Sequence, residues 1–149
     1  MNIVLLGGSG FVGSKVAKIL QANGHNLTMP NHQELDLLNP NRQNIEKIFH
    51  NQNVIINAVG VMSRFSEVLE KVHYQTPKLL AEIAVDMNIK YWVQLSALGA
   101  DEHNQTAFLS SKGRGDNAVA AIMLRAIRAL KSVGRAIASS KALVCSDWV

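Results

Sequence analysis

A short apolar strand that runs straight into glycines and then into a helix leaves few folds open to this chain. Met1 to Leu6 has the strand pattern. Gly7-Gly8-Ser9-Gly10-Phe11-Val12-Gly13 follows, and a helical pattern begins at once. Strand, glycine turn and helix together form the unit that holds a dinucleotide pyrophosphate. Residues without a Cβ let backbone and phosphate approach closely, and the helix start offers free N–H groups and a partial positive charge. Gly7, Gly10 and Gly13 make a G-x-x-G-x-x-G pattern, which carries weight because a strand precedes it and a helix follows. The alternative is a plain strand-to-helix turn. Gly8 and Gly13 also have phosphate-loop spacing, but Ser14-Lys15 reverses the required Lys-Ser/Thr order, so a triphosphate site is not expected.

Further along, strand-like and helix-like stretches alternate. Ile3–Leu6 reads as a central parallel strand. Val12, Val16, Ile19 and Leu20 give a helix from about Phe11 to Ala22 its apolar face, with Asn23-Gly24 as its C-cap. Asn26–Met29 reads as strand two, and Leu35–Leu37 has the pattern of strand three. Asn39-Pro40 reads as a helix entry, with Ile45, Ile48 and Phe49 as the buried stripe. Val54–Asn57 is strand four, turned by Ala58-Val59-Gly60. A helix from about Ser66 to Met87 contains Pro77, so a kink or two helices are expected. Tyr91–Leu95 is strand five, and a last helix starts near Ala107. The implied fold is α/β, a Rossmann-like, right-handed, doubly wound parallel sheet in the order 3-2-1-4-5. Strands one and four would then flank the switch-point crevice where ligands bind.

Composition sets outer limits. The chain has 149 residues, 48% hydrophobic and 17% charged, as an ordinary globular domain does. No apolar run approaches the roughly 20 residues of a membrane span. Cys145 is the single cysteine, so no internal disulfide and no cysteine metal site is expected, and a cytoplasmic setting follows. The net charge of +4 is uneven: residues 1–111 carry −1 and residues 112–149 carry +5. An anionic partner is one reading, and a solvated helix face is the other. No aromatic residue interleaves Arg125, Arg128, Lys131 and Arg135, so nucleic acid is not expected as a partner.

An acidic ribose clamp usually lies about 20 residues beyond the glycines. Here the chain reads Pro30-Asn31-His32, with Glu34 slightly late. Without the acid nothing excludes a 2′-phosphate, and His32 could face one, so the cofactor leans to NADP over NAD. Asp36-Leu37 is a candidate adenine-edge contact, against a helix-cap or loop acid. His73 reads as a surface or partly packed histidine, and Trp92 and Trp148 as packing residues.

The glycine loop together with Val93-Gln94-Leu95-Ser96-Ala97-Leu98-Gly99-Ala100-Asp101 resembles the extended and atypical short-chain dehydrogenase/reductases. The nearest branch is NAD(P)-binding and epimerase-like, similar to NmrA-type proteins and to the NAD(P)H-binding accessory subunit of respiratory complex I. Val54–Gly60, His73–Pro77 and Phe108-Leu109-Ser110-Ser111-Lys112 add to the resemblance, which spans about residues 1–122. It implies a strand-end Ser and a Tyr-x-x-x-Lys pair as the chemical machinery. The Ser polarises the substrate oxygen and the Tyr moves the proton. The Lys lowers the Tyr pKa and binds the nicotinamide ribose. Ser96 and Lys112 match two of these positions as implied catalytic residues. The Tyr position is Phe108, which has no proton to give.

The implied cofactor contacts are Gly7, Gly10, Phe11, Val12, Gly13, His32, Asp36, Leu37, Ala58, Val59, Gly60, Ser96 and Lys112, with no metal. A second departure lies downstream. Met123-Leu124-Arg125 stands where the family begins a sixth strand, but Ala126 replaces the usual Pro, and an Ala/Arg/Lys-rich helical run continues to about Lys141. The expectation is therefore a dinucleotide-binding domain over 1–122 and a divergent basic helical tail over 123–149. An evolved short form and a truncated or frameshifted one both fit that change, and the abrupt shift in composition favours the second. The implied role is NAD(P) binding with weak or no independent catalysis. Two alternatives stand beside it: an active oxidoreductase or nucleotide-sugar epimerase/dehydratase, and a non-enzymatic interaction module. The implied partners are the dinucleotide, an unidentified small molecule, and a second copy through the helices near Ser66–Met87 and Ala107–Ala121.

Overall fold

The computed structural model describes residues 1–132 and 143–145, with side chains through residue 126. Five strands form one sheet: β1 (Asn2–Leu6), β2 (Asn26–Thr28), β3 (Val54–Asn57), β4 (Tyr91–Leu95) and β5 (Leu143–Cys145). They lie in the order β2-β1-β3-β4-β5 and every pairing is parallel. β1 is an internal strand, between β2 and β3, and Ile3, Val4, Leu5 and Leu6 are all buried, so both of its faces are covered. Its register against β3 sets Leu6 opposite Asn57, and β3 against β4 sets Asn57 opposite Gln94. The strand ends that bear the candidate residues are therefore level.

The helices are α1 (Phe11–Ala22), α2 (Arg42–Phe49), α3 (Ser66–Glu70), α4 (Thr76–Asp86) and α5 (Ala107–Ser132). Asn23 and Gly24 end α1 as expected, with Gly24 at φ +75°. α2 starts later than Asn39-Pro40, because Asn41 caps it by accepting from the Asn44 N–H. Val4 and Leu6 join Ile45, Phe49, Ile55, Leu80, Ile83, Trp92, Val119 and Met123 in one core, where α2, α4 and α5 cover the sheet. Among the described residues no helix is long and apolar enough to cross a membrane.

Three expectations change. Leu35–Leu37 is not a strand. Asn31 and Asp36 spend their side chains on the nearby backbone N–H groups of Gln33, Glu34 and Leu38, which competes with a ladder. Leu35 is buried against the core all the same. The expected helix over Ser66–Met87 is interrupted, but not at the proline: a π turn spans Lys71–Gln75, and Pro77 sits at the start of α4, where its missing N–H costs little. At the C-terminal end, α5 runs helical to Ser132, yet 143–145 form a fifth strand paired with β4 rather than more helix. The rest of the expected helical run, residues 133–141, and Trp148 lie outside the described residues.

Candidate functional site

Gly7 takes φ +75°, a conformation that side chains resist, and its carbonyl accepts the Gly10 N–H at 2.9 Å. A Cβ on Gly7 would stand 3.0 Å from the Ala58 carbonyl group, and one on Gly13 would overlap the Gly7 carbonyl. The glycines are thus fixed by close packing of the turn on itself and on the Ala58-Val59 turn after β3. Gly10 is the N-cap of α1 and has no side chain to satisfy the first turn. Phe11 and Val12 are exposed at that helix start, and Lys15 Nζ lies 4.0 Å from the centre of the Phe11 ring. The result is a glycine-walled helix start at the end of a buried strand, which suits an anion.

A buried polar network holds the next turn. Asn57 Oδ1 accepts the Val59 N–H at 3.1 Å, and Asn57 Nδ2 donates to Gln94 Oε1 at 3.1 Å. Trp92 Nε1 donates to the same Gln94 oxygen at 3.0 Å. Trp92 is therefore a core residue, as expected, that also fixes the strand ends. Asn57 was expected to line the crevice together with the turn that follows it, but Gln94 was not singled out from sequence, although an amide closing an apolar strand is a readable signal.

α5 brings the remaining groups in. Lys112 is buried, and its Nζ donates to the Leu95 carbonyl at 3.0 Å. A Cβ on Gly60 would stand 3.9 Å from Lys112 Cε and Nζ, so the ammonium lies between the turn after β3 and the end of β4. Burial pulls the Lys112 pKa below its ordinary value, and the Asp116 carboxylate pulls it back up. Ser96 donates to Asp116 Oδ2. Asp116 is buried and its pKa is raised by that burial, against the opposing effects of Ser96 and Lys112. Asp116 is a further residue that sequence reasoning missed. Its spacing of four from Lys112, one turn along the same helix face, was the available clue.

Phe108 lies one turn before Lys112, and its ring meets that of His73 edge-on with centroids 5.2 Å apart. His73, expected as a surface or partly packed histidine, is fully packed and 2% exposed. Its Nε2 accepts the Val61 N–H at 3.1 Å, and its Nδ1 pairs with Ser111 Oγ at 3.1 Å. Burial first, and the Lys112 charge second, hold its pKa down to about 4, so the ring is neutral at pH 7.

The expected site residues thus fall into two groups. Gly7, Gly10, Gly13, Ala58, Val59, Gly60, Ser96 and Lys112 gather along the C-terminal ends of β1, β3 and β4, with Phe11 and Val12 at the helix start. His32, Asp36 and Leu37 stand on the loop beyond β2, where the hydrogen bonds of Asp36 and Leu37 are local or structural. Asp36 accepts from the Leu38 N–H, which with Asn39 lowers its pKa, and the Leu37 carbonyl accepts from Thr76. Among the described residues no group of three or more His, Cys, Asp or Glu is placed to hold a metal.

A parallel sheet opened by a glycine turn, with its polar groups at the strand ends, defines a Rossmann-like fold of the dinucleotide-binding class. The chain belongs to the NAD-dependent epimerase/dehydratase family, whose model matches residues 3–114. Among solved structures, a dTDP-4-dehydrorhamnose reductase from Clostridium acetobutylicum is 24% identical with a TM-score of 0.70, over 82% of this chain and 50% of that one. The Bacillus anthracis dTDP-4-dehydrorhamnose reductase, solved in complex with NADP, is 12% identical at TM-score 0.69, over 81% and 49%. A UDP-glucose 4-epimerase from Thermotoga maritima, solved with UDP-glucose, is 19% identical at TM-score 0.69, over 82% and 51%. At these identities the likeness is one of fold. The chain spans about half the length of these structures. No curated protein matches the sequence.

Proposed function

We propose that this chain holds a nicotinamide dinucleotide and performs weak or no catalysis by itself. The observation that carries the reading is the glycine turn, where added Cβ atoms would strike the Ala58 and Gly7 backbones and the start of α1 is left uncapped. The pyrophosphate would sit there, and Lys112 would hold the nicotinamide ribose beside Gly60. A bound dinucleotide would supply hydride chemistry. Of the chain's own residues, Ser96 would orient a substrate oxygen, while Phe108 offers no proton where the family pattern has Tyr. NADP is favoured over NAD because the loop after β2 presents His32 where a ribose-clamping acid would stand. Residues 1–122 would form the binding unit, although α5 runs through that boundary without a break.

A second reading, an active oxidoreductase or nucleotide-sugar epimerase/dehydratase, is favoured by Ser96 and Lys112 sharing one site and by the names of the structural neighbours. Fluorescence titration with NADPH and NADH tests the first reading. NADPH should bind in the micromolar range and more tightly than NADH. Lys112→Ala should weaken binding about tenfold or more, and Phe108→Tyr should leave it within about threefold. Failure of both dinucleotides to bind at millimolar concentration would sink the reading. NADPH turnover by the wild-type chain would favour the second, whereas turnover that appears only in Phe108→Tyr would support the first, with Phe108 as the cause of the lost catalysis.

A further inference from the structure

Asp116 has no place in the machinery that the family pattern implies, yet it is the buried acid of this site. It is 8% exposed. Oδ2 accepts from Ser96, and Oδ1 is buried without a hydrogen-bond partner among the described residues. An orphaned carboxylate oxygen is costly inside a protein, and a proton on the Oδ2 side, facing Ser96, relieves the cost by leaving Oδ1 a neutral carbonyl oxygen. A cavity of about 410 Å³ opens beside the pair, lined by Ser96, Leu98, Gly99, Gly113, Asp116 and Asn117, among others.

We propose that Asp116 is a positioning residue that sets the hydrogen-bonding polarity of Ser96. A hydroxyl has one proton and two acceptor lone pairs. As a carboxylate, Asp116 takes the Ser96 O–H inward, and Ser96 then faces the site as an acceptor suited to a substrate hydroxyl. As a carboxylic acid, Asp116 donates to Ser96 Oγ, and the Ser96 O–H is free to turn outward toward a carbonyl oxygen. One serine then suits the alcohol or the carbonyl form of a small polar substrate, according to a proton held behind it. The direction of the Asp116 pKa, raised by burial, supports a proton being available there. The titratable groups around the pair are Lys112 on the same helix, Asp101 and Glu102 from the loop after β4, and His73 of the π turn, which is neutral at pH 7. Lys112 favours the carboxylate, and burial favours the acid.

This role rests on Ser96 facing a substrate, as in the proposed function, but its test needs no dinucleotide. Carbon-13 NMR of aspartate-labelled protein follows the Asp116 carboxyl, assigned by its loss in Asp116→Asn. The midpoint should lie above the ordinary carboxylate range, and Ser96→Ala should raise it by about one unit by removing a donor to the charged form. Reactivity at position 96 is the second measurement. In Ser96→Cys the rate of iodoacetamide alkylation, read by peptide mass, should show an inflection at the Asp116 midpoint. Asp116→Asn in that background should erase it and speed alkylation at pH 8 about tenfold, because the thiolate no longer faces a carboxylate. An Asp116 midpoint at or below 4, or an alkylation profile untouched by Asp116→Asn, would overturn the proposal. Either result leaves NADPH binding to be judged by its own titration.

Discussion

Gly13 shows most sharply how single atoms decide this site. A methyl group there overlaps the Gly7 carbonyl, which is backbone and cannot rotate away. Gly13→Ala should therefore cost about 1–3 kcal/mol and lower Tm by several degrees, seen by calorimetry. It should also abolish NADPH binding, because the turn must open to relieve the clash. A variant that keeps wild-type Tm and affinity would refute the packing argument. Gly7, Gly10 and Gly13 were readable in sequence because a chain that needs missing side chains shows it as a pattern. Asp116 and His73 were not, because their meaning lies in contacts with Ser96, Val61 and Ser111, which come from distant parts of the chain.

Among the elements, the π turn at Lys71–Gln75 and α5 depend on each other. The widened turn brings the His73 carbonyl to where a Cβ on Gly115 would overlap it, so α5 packs closely only because residue 115 is glycine. The same turn buries the His73 ring between Val61 and Ser111. Its pKa is about 4 when folded, against about 6.5 in an unfolded chain. As pH falls, the unfolded chain takes the proton first. The stabilising contribution is thus complete above about pH 6.5, declines toward pH 4, and changes no further below that. Between pH 7 and pH 5 this linkage amounts to about 2 kcal/mol. Urea unfolding at the two pH values should show that loss in the wild type and a flatter response in His73→Gln. Equal losses in both proteins would show that His73 does not titrate this way. From sequence the helical pattern of Ser66–Met87 was clear, but the π turn was not, since an extra residue in one turn leaves the apolar spacing nearly intact. Leu35–Leu37 failed as a strand for a related reason: leucines pointing into a core look alike whether or not a ladder joins them.

At the level of the whole molecule, the parallel sheet was legible because its central strands are continuous apolar runs separated by helical patterns. β5 was not, because its three residues follow a segment whose composition reads as helix. A ligand that binds only the folded sheet stabilises all of it at once. NADPH at about 100 times its Kd should contribute about 2.7 kcal/mol and raise Tm by about 5–10 °C. NADH at the same concentration should raise it less. A Tm that neither dinucleotide moves would agree with a failed titration and count against the proposed function.

The place of β1 between β2 and β3 also has a consequence for how the chain is made. Its partner on the β3 side pairs Leu6 with Asn57, about fifty residues later in the chain. At ribosomal speeds of about 5–20 residues per second, that is a wait of roughly 3–10 seconds. During that time β2, three residues long, is the sole partner that has been synthesised. A strand with four buried apolar residues is thus kept waiting for its second partner, and a nascent-chain chaperone would find its target in Ile3–Leu6.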